Sequence, residues 1–258
     1  MGITTFNTDM LKISVSALAH IKSRFLLIVH NDNPDIRLSV RDIRKIGYSG
    51  PLQIINCNAN VGLRVARVRI LDIATRYACD EESIIYVEDY DILLNIDVPN
   101  VSNNVYAVIQ CAMMINTRVS DLITAVSHPD MIVPDGANIS LARPHIGMRG
   151  TAVRMKCMRE LVDLIGDDVT SELTVIDASL AFRPPIDTMM WLALNTLMRN
   201  RHPECVPIFM DSVNYIQNNI DFSAIKYGRP GTTPKNYAVH LARALDRYDS
   251  VIKSTVVK

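Results

Sequence analysis

The stretch Ile-Ile-Tyr-Val-Glu-Asp-Tyr-Asp, residues 84–91, decides the predicted fold. Its first four residues are β-branched or aromatic, which is typical of a buried strand. The strand ends in three acids, Glu88, Asp89 and Asp91. Carboxylates at the carboxyl end of such a strand lie where open α/β sheets bind ligands, and hard divalent cations prefer oxygen ligands. The stretch therefore predicts a strand that leads into a site for a metal ion and a diphosphate.

The charges around this stretch favour the same interpretation. Residues 80–97 contain seven acids and no Lys or Arg, whereas residues 62–78 contain four arginines and one acid. A bound cation would relieve repulsion among the carboxylates, and the planar guanidinium group suits phosphate oxygens. Acidic clusters more often only solvate a loop, and that alternative stays open.

Strands and helices alternate on the amino-terminal side of the acids. Residues 24–30 and 52–55 have strand character, and residues 38–46 and 62–78 have helical periodicity. Together with the strand at 84–87, this alternation predicts a parallel sheet with right-handed crossovers and a ligand crevice at the carboxyl ends of the strands.

The loops that follow these strands should meet at the crevice. The first loop supplies His30, Asn31 and Asp32, and the second supplies Asn58. For His30, a contact with a nucleotide and a structural role are both open. Neither Gly-x-Gly-x-x-Gly nor Gly-x-x-x-x-Gly-Lys-Ser/Thr follows the first predicted strand, which argues against dinucleotide-binding and P-loop sites.

Composition limits the remaining possibilities. The 258 residues are 48% hydrophobic, enough for one large α/β domain, and no linker is apparent. The 27 basic and 27 acidic residues cancel, which argues against a strongly electrostatic nucleic-acid binder but not against a local basic patch. Five cysteines without Cys-x-x-Cys spacing indicate reduced thiols and not a zinc site or a disulfide framework.

We expect a cytoplasmic protein without integral membrane association. Residues 1–18 lack the pattern of a signal peptide. The most apolar stretch, residues 105–115, is interrupted by Gln110 and is shorter than the roughly 20 residues that a membrane span requires.

Two motifs carry a resemblance to a known family. The run Asn-x-Asn-x-Gly-Leu-x-x-Ala-Arg at 58–67, followed by Val-Glu-Asp-Tyr-Asp at 87–91, resembles the nucleotide-sugar half of GT-A glycosyltransferases, particularly family 2. The resemblance implies a GT-A fold, with a mostly parallel central sheet flanked by helices. It maps the family's Asp-x-Asp motif onto Asp89 and Asp91, which would bind Mn²⁺ or Mg²⁺ and so hold the donor diphosphate. The residues expected to contact the donor are His30, Asn31, Asp32, Asn58, Gly62, Arg64, Arg67 and Asp89.

The resemblance also divides the chain into functional halves within one compact domain. Residues 1–115 would bind the nucleotide sugar, and residues 116–258, ending in a helical tail, would bind the acceptor. Inverting members use a late carboxylate as general base; Asp187 is the first candidate, and Asp167 and Asp168 follow. A role for Asp187 as a helix cap is equally open. The acidic turn expected to contact the nucleoside is replaced by Asn-Cys-Asn at 56–58, which leaves the base preference undetermined.

The predicted function is metal-dependent transfer of a sugar from a nucleoside diphosphate sugar to an acceptor hydroxyl. The metal and Arg64 or Arg67 would neutralise the leaving diphosphate. The acceptor could be a glycan or a hydroxymethylated DNA base, the latter held by basic residues of segment 143–159, namely Arg143, Arg149, Arg154, Lys156 and Arg159. A sugar-phosphate nucleotidyltransferase and a non-catalytic nucleotide-sugar-binding module are the alternatives. The sequence indicates no oligomeric state.

Overall fold

The structure is a computed structural model, and it describes residues 1–89, 91–93, 96, 103–117, 138–141, 148–171 and 186–220. Its strands are β1 (Gly2–Thr5), β2 (Leu27–Asn31), β3 (Leu52–Asn56), β4 (Ser83–Glu88), β5 (Ile92–Leu93), β6 (Val105–Thr117), β7 (Asn138–Leu141), β8 (Thr151–Arg154) and β9 (Val206–Ile220). Its helices are α1 (Thr8–Ala19), α2 (Val40–Ile46), α3 (Gly62–Tyr77), α4 (Met155–Ser171) and α5 (Ile186–Arg201).

The strands form one sheet in the order β3-β2-β1-β4-β8-β6-β9-β5, and β7 pairs with β6. Strands β1 to β4 are parallel to one another. Strand β8 is antiparallel to both β4 and β6, whereas β9 is parallel to β6. Six strands (β1, β2, β3, β4, β6 and β9) therefore run one way and β5, β7 and β8 run the other. The prediction of an α/β fold with a mostly parallel sheet is confirmed.

Strand β1 was missed in the sequence, where the first predicted strand was the one at 24–30. Its four residues, Gly-Ile-Thr-Thr, are too few and too polar to show a strand pattern. In the structure β1 lies between β2 and β4, so the chain fills the sheet first on one side of β1 and then on the other. Such a reversal of strand order opens a crevice at the carboxyl ends of the two strands that flank it, here β1 and β4.

Helices cover both faces of the sheet. The side chains of β4 alternate: Ile84 and Tyr86 pack in the apolar cluster that also contains buried residues of α3, α4 and α5. Ile85 and Val87 pack in the second cluster, with buried residues of α1 and α2. A strand that is apolar on both sides is expected in a sheet with helices on both faces, and this explains the continuous hydrophobic run at 84–87.

Local signals set several helix ends. Helix α2 begins with a capping box between Ser39 and Asp42 and ends at Gly47, whose φ of 113° lies in the left-handed region. Helix α5 begins at Ile186, which follows two prolines in the sequence. The most apolar stretch, residues 105–115, forms most of β6. No helix in the described ranges combines the length and the apolar character needed to cross a bilayer. The helical tail predicted at the end of the 116–258 half lies outside the described residues.

Candidate functional site

Polar side chains cluster at the carboxyl edge of the parallel strands. Thr5 ends β1, Asn31 ends β2 and Glu88 ends β4. Asp32 and Asp89 follow the last two of these strands, and both are buried. Buried polar groups are usually hydrogen-bonded, so the partners of each side chain show whether it serves the fold or is available to a ligand.

Asp32 stabilises the amino-terminal end of α3. Its Oδ1 accepts from the backbone N–H of Val61 at 2.7 Å, and its Oδ2 accepts from the N–H of Gly62 at 2.8 Å. Helix α3 has no acid in its first turn, and Val61 makes no side-chain cap. A carboxylate from the neighbouring loop therefore satisfies N–H groups that the helix leaves open and complements its dipole. The structure thus brings together Asp32 and Gly62, both predicted to contact the donor.

Asn31 organises the loop that follows β2. Its Nδ2 donates to the carbonyl of Ile36 at 2.5 Å and to Oδ1 of Asn56 at 3.0 Å. Asn56 in turn donates to the carbonyl of Leu38 at 3.0 Å. These bonds give Asn31 a structural role in the loop. Asn58, by contrast, is exposed and remains accessible to a ligand.

His30 and Cys57 meet below this loop. Both are buried, and Nε2 of His30 lies 3.4 Å from Sγ of Cys57. Arg69 donates from Nη1 to the same sulfur at 3.1 Å. Burial lowers the pKa of His30, and the nearby carboxylate of Asp32 opposes that shift. Burial raises the pKa of the Cys57 thiol, and Arg69 opposes it. In the sequence, only its place after a predicted strand could have pointed to Cys57.

The side chain of Arg67 is buried and does not reach the solvent. Its Nη2 donates to Oε1 of Glu88 at 2.8 Å, and its guanidinium lies 4.8 Å from the ring centroid of Tyr86. One of the two arginines predicted to neutralise a diphosphate is thus already paired with an acid of the 84–91 stretch. The side chain of the other, Arg64, lies outside the described part of the chain.

Asp89 is buried against the end of β1. Its Oδ2 accepts from Oγ1 of Thr5 at 2.7 Å, and the backbone N–H of Phe6 also bonds to it. Burial raises the pKa of Asp89 to about 7, with the hydrogen bond from Thr5 opposing the rise and Glu88 adding to it. Asp89 therefore loses its proton near neutral pH, and not near pH 4 as an exposed aspartate does.

Asp91 is fully buried in an ion pair with Arg149. The two bonds, Nε to Oδ2 and Nη2 to Oδ1, are each 2.5 Å long. Tyr215 also donates to Oδ2 and lies 3.0 Å from Nε of Arg149. Burial raises the pKa of Asp91, and Arg149 opposes the rise. Burial lowers the pKa of Arg149, but Asp91, Tyr215 and Glu88 together raise it well above the ordinary value.

Sequence reasoning missed this pair, because Arg149 and Tyr215 lie 58 and 124 residues away from Asp91. Gly150 makes the arrangement possible: its φ is 69°, and an added Cβ would lie 2.9 Å from the Tyr215 ring. We call Asp91, Arg149, Gly150 and Tyr215 the junction, since they join the end of β4 to β8 and β9.

The acidic run, which consists of Glu88, Asp89 and Asp91, does not fit Mn²⁺ or Mg²⁺ as it is arranged in the structure. These ions need oxygens at roughly 2.0–2.6 Å, with no other cation in the same position. The guanidinium of Arg149 occupies both oxygens of Asp91, and that of Arg67 donates to Glu88. Asp91 would reach a metal only after Arg149 had moved away. The metal role of Asp89 and Asp91 stays a prediction.

The predicted general base lies in a helix. Asp187 is the second residue of α5, inside its first turn and not at the cap position before it. Asp167 and Asp168 lie in α4. The side chains of all three are outside the described part of the chain, so their catalytic role stays a prediction.

The predicted basic patch is partly committed to ion pairs. Arg149 belongs to the junction, and Arg159 pairs with Asp80. Arg143 lies outside the described residues. The patch is therefore smaller than the sequence indicated.

A cavity of about 510 Å³ lies at the opposite edge of the sheet from Glu88, Asp89 and Asp91. Its lining includes Met1, Leu26, Ser83 and Arg154.

Comparisons with known proteins give weak similarity to two kinds of transferase. No protein-family model and no curated protein matches the chain. The apo-form of glycosyltransferase GlyE from Streptococcus pneumoniae TIGR4 aligns with a TM-score of 0.41 and 10% identity, over 99% of this chain and 63% of that one. 4-diphosphocytidyl-2C-methyl-D-erythritol synthase from Anaerococcus prevotii DSM 20548 aligns with a TM-score of 0.34 and 12% identity, over 95% and 93% of the two chains.

This chain thus spans less than two thirds of the length of GlyE. Similarity at this level assigns neither a family nor an activity, and the function must be argued from the residues at the carboxyl edge of the sheet.

Proposed function

We propose that this chain is a glycosyltransferase that binds a nucleoside diphosphate sugar at the carboxyl edge of β1, β2 and β4. One observation carries the proposal: the strand order reverses at β1, and buried polar side chains, those of Thr5, Asp32 and Asp89, stand at the crevice that this reversal opens. Nucleotides bind at such switch points in open α/β sheets. The motif resemblance at 58–67 and 87–91 supports the same ligand.

The donor would lie along the edge in a definite order. Its nucleoside end would contact the exposed Asn58 and the loop after β2, which the buried His30, Asn31 and Asp32 hold in place. The diphosphate would lie near the start of α3, beside Gly62 and Arg64, at N–H groups of the first turn that Asp32 does not already hold. Arg67 and Asp89, which are both buried, would support the wall of the crevice on the side of β4. The left-handed φ of Gly62, 79°, leaves no side chain above the start of the helix.

In the proposed reaction an acceptor hydroxyl attacks the anomeric carbon of the sugar. The bond from that carbon to the diphosphate oxygen breaks, and the nucleoside diphosphate leaves with the electron pair. Asp187 takes the hydroxyl proton, which corresponds to an inverting mechanism. Arg64 at the start of α3 stabilises the leaving diphosphate. A divalent cation supplies the same stabilisation when it is bound, but no step is assigned to it because the acidic run as arranged does not fit it.

A glycan is the acceptor that we propose. Two of the five basic residues predicted to contact DNA phosphates, Arg149 and Arg159, are engaged with Asp91 and Asp80. Each phosphate contact that a protein makes adds roughly 0.9 to the slope of its salt dependence. Glucosylation of hydroxymethylated DNA with a steep salt dependence would contradict this choice.

The test is a thermal-shift screen of nucleoside diphosphate sugars, each with Mn²⁺ and with a chelator. A donor present at about 100 times its Kd should raise the free energy of unfolding by about 2.7 kcal/mol. The donor that binds is then incubated with candidate glycans, and the released nucleotide is identified. Release of nucleoside diphosphate supports the proposal.

Two results would point elsewhere. Release of pyrophosphate from a nucleoside triphosphate and a sugar phosphate would identify a nucleotidyltransferase instead. Binding without any turnover, in either metal condition, would identify a non-catalytic module. In the active case, Asp89→Asn should lower turnover strongly, whereas Asp72→Asn on the exposed face of α3 should leave it unchanged.

A further inference from the structure

We propose that His30, Asp32 and Cys57 form a binding site for a zinc ion, separate from the acidic run that follows β4. The three side chains come from the ends of adjacent strands, β2 and β3, and are only 0%, 4% and 7% exposed. One ligand atom from each, an imidazole nitrogen, a carboxylate oxygen and a thiol sulfur, lies within 4.8 Å of the other two. These are the donor types that zinc sites use.

The spacing of the donors suits a tetrahedral ion. Zinc bonds are about 2.3 Å to sulfur and about 2.0–2.1 Å to nitrogen, which places the two ligand atoms about 3.6 Å apart at a tetrahedral angle. The observed distance from Nε2 of His30 to Sγ of Cys57 is 3.4 Å. Small side-chain rotations would bring the oxygen of Asp32 to the same ion.

The imidazole of His30 is not fully satisfied by the protein. Within the described residues its Nδ1 is buried and has no hydrogen-bond partner. Its Nε2 meets only the weakly polar sulfur of Cys57. A buried ring nitrogen with so weak a partner costs free energy, and an ion bound through Nε2 would replace the contact with the sulfur by a stronger bond. A metal bound through one ring nitrogen would also fix the tautomer, which the present contacts leave open.

The other two ligands can bind a cation without giving up their present roles. Each carboxylate oxygen accepts up to two bonds, so Asp32 can hold Val61 and Gly62 and still coordinate an ion. Arg69 can continue to donate to the sulfur of Cys57, as outer hydrogen bonds commonly do in metal sites. Together, Asp32 and a Cys57 thiolate carry two negative charges, which match the charge of the ion.

The donor set selects zinc over Mg²⁺ or Mn²⁺. Thiolate and imidazole favour zinc, whereas the lighter cations prefer carboxylate, carbonyl and water. Three protein ligands would leave a fourth position for water or another ligand. Residues 58–60, which follow Cys57, are exposed and provide access from solvent. The expectation that the cysteines hold no zinc rested on the lack of Cys-x-x-Cys spacing, whereas here the fold assembles the ligands.

The test uses the full chain after removal of metals with a chelator. Zn²⁺ alone is titrated by calorimetry, and Co²⁺ is titrated by absorption, because a thiolate bound to cobalt gives a charge-transfer band. We expect one ion per chain and a thiolate band. Cys57→Ser should abolish the band and weaken Zn²⁺ binding by more than the 10- to 100-fold that loss of an outer-shell partner costs. Cys79→Ser, which removes an exposed thiol, should change neither.

Binding of less than one Zn²⁺ per chain, or equal binding by the Cys57→Ser variant, would overturn the proposal. If that variant does not fold by circular dichroism, alkylation of the natural protein decides: Zn²⁺ should protect Cys57 and not Cys79, and equal labelling of Cys57 with and without Zn²⁺ would refute the site. The sugar-nucleotide screen is read separately, so either proposal can fail alone.

Discussion

The end of β4 and the end of β2 carry similar polar residues but differ in how the protein satisfies them. At the end of β4, Asp89 and Asp91 are buried, and each accepts hydrogen bonds from other parts of the chain. At the end of β2, His30 is equally buried, but its Nδ1 has no partner in the described structure. The acids that look most like a metal site are therefore already bonded to other protein groups. At the end of β2, by contrast, one ring nitrogen of His30 has no partner among the described residues.

The two regions also differ in the range of their contacts. His30, Asp32 and Cys57 lie within 27 residues of one another, on adjacent parallel strands. The partners of Asp91 come from segments 58 and 124 residues later. The end of β4 therefore depends on assembly of the whole sheet, and substitutions there should cost more stability than substitutions at the end of β2.

The largest expected effect is that of Asp91→Asn. The substitution leaves Arg149 buried without its counter-charge, and breaking one side of a buried ion pair costs about 3–5 kcal/mol. Urea unfolding at pH 7 measures the loss. From the structure we expect a strongly destabilised protein.

A double variant tests the reason for this loss. Asp91→Leu with Arg149→Met removes both charges, and buried pairs replaced by apolar residues of similar size are often neutral or stabilising. The double variant should therefore be more stable than Asp91→Asn. If Asp91→Asn costs less than about 1 kcal/mol, which is the range of exposed pairs, the carboxylate is not locked to Arg149 as described.

The same substitution, glycine to alanine, can be made in both regions, at Gly62 and at Gly150. Gly62 and Gly150 both have positive φ, 79° and 69°, so alanine should cost roughly 1–2 kcal/mol in either place. Near Gly62 nothing lies within 4 Å of the added Cβ, whereas at Gly150 the Tyr215 ring lies 2.9 Å away. Overpacking adds about 1–3 kcal/mol, so Gly150→Ala should be the more damaging by that amount. If the two variants lose the same free energy of unfolding in thermal or urea experiments, the ring of Tyr215 moves aside at no cost in stability.

Stability should also depend on pH through Asp89. Its pKa is about 7 in the folded protein and about 3.9 in an unfolded chain, so the folded state binds the extra proton. The resulting stabilisation is complete below pH 4 and is lost as the pH rises through 7. Between pH 5 and 8 the loss should be about 2–3 kcal/mol, measured by urea unfolding with a chelator present.

Asp89→Asn is the matched variant, because it keeps the shape of the side chain and removes the titration. Its stability should change less between pH 5 and 8 than that of the natural protein. Parallel pH profiles for the two proteins would show that Asp89 ionises with an ordinary pKa, and would place it in contact with water.

The sequence was sufficient where the structure is set by local pattern. The apolar run at 84–87 predicted β4, because a strand that is buried on both faces is apolar throughout. The periodicity of residues 62–78 predicted α3, because a helix that is buried on one face repeats its apolar residues every three or four positions. Strand β1 left no such trace, since its four residues gain their place only from pairing with β2 and β4.

The site was predicted in position but not in its contacts. The alternation of strands and helices placed His30, Asp32 and Asp89 at one edge of the sheet. Asp32 caps α3 because β2 pairs with β3, and Arg149 faces Asp91 because β8 pairs with β4; no local pattern encodes either pairing. Arg149 was instead grouped by sequence proximity with other basic residues, although its charge is neutralised inside the fold.

The smallest expected effect comes from an ion pair that matches the junction in chemistry and differs from it in burial. Asp72 and Arg76 lie 2.5 Å apart on the surface of α3, and their side chains are 57% and 67% exposed. Water and salt screen such pairs, so Asp72→Asn should cost about 0.3–0.5 kcal/mol, and 1 M salt should remove most of that difference. A loss comparable to that of Asp91→Asn would mean that burial is not what makes the junction strong. A small, salt-sensitive loss beside a large, salt-insensitive one would show that the protein fixes Asp91 by excluding water around it.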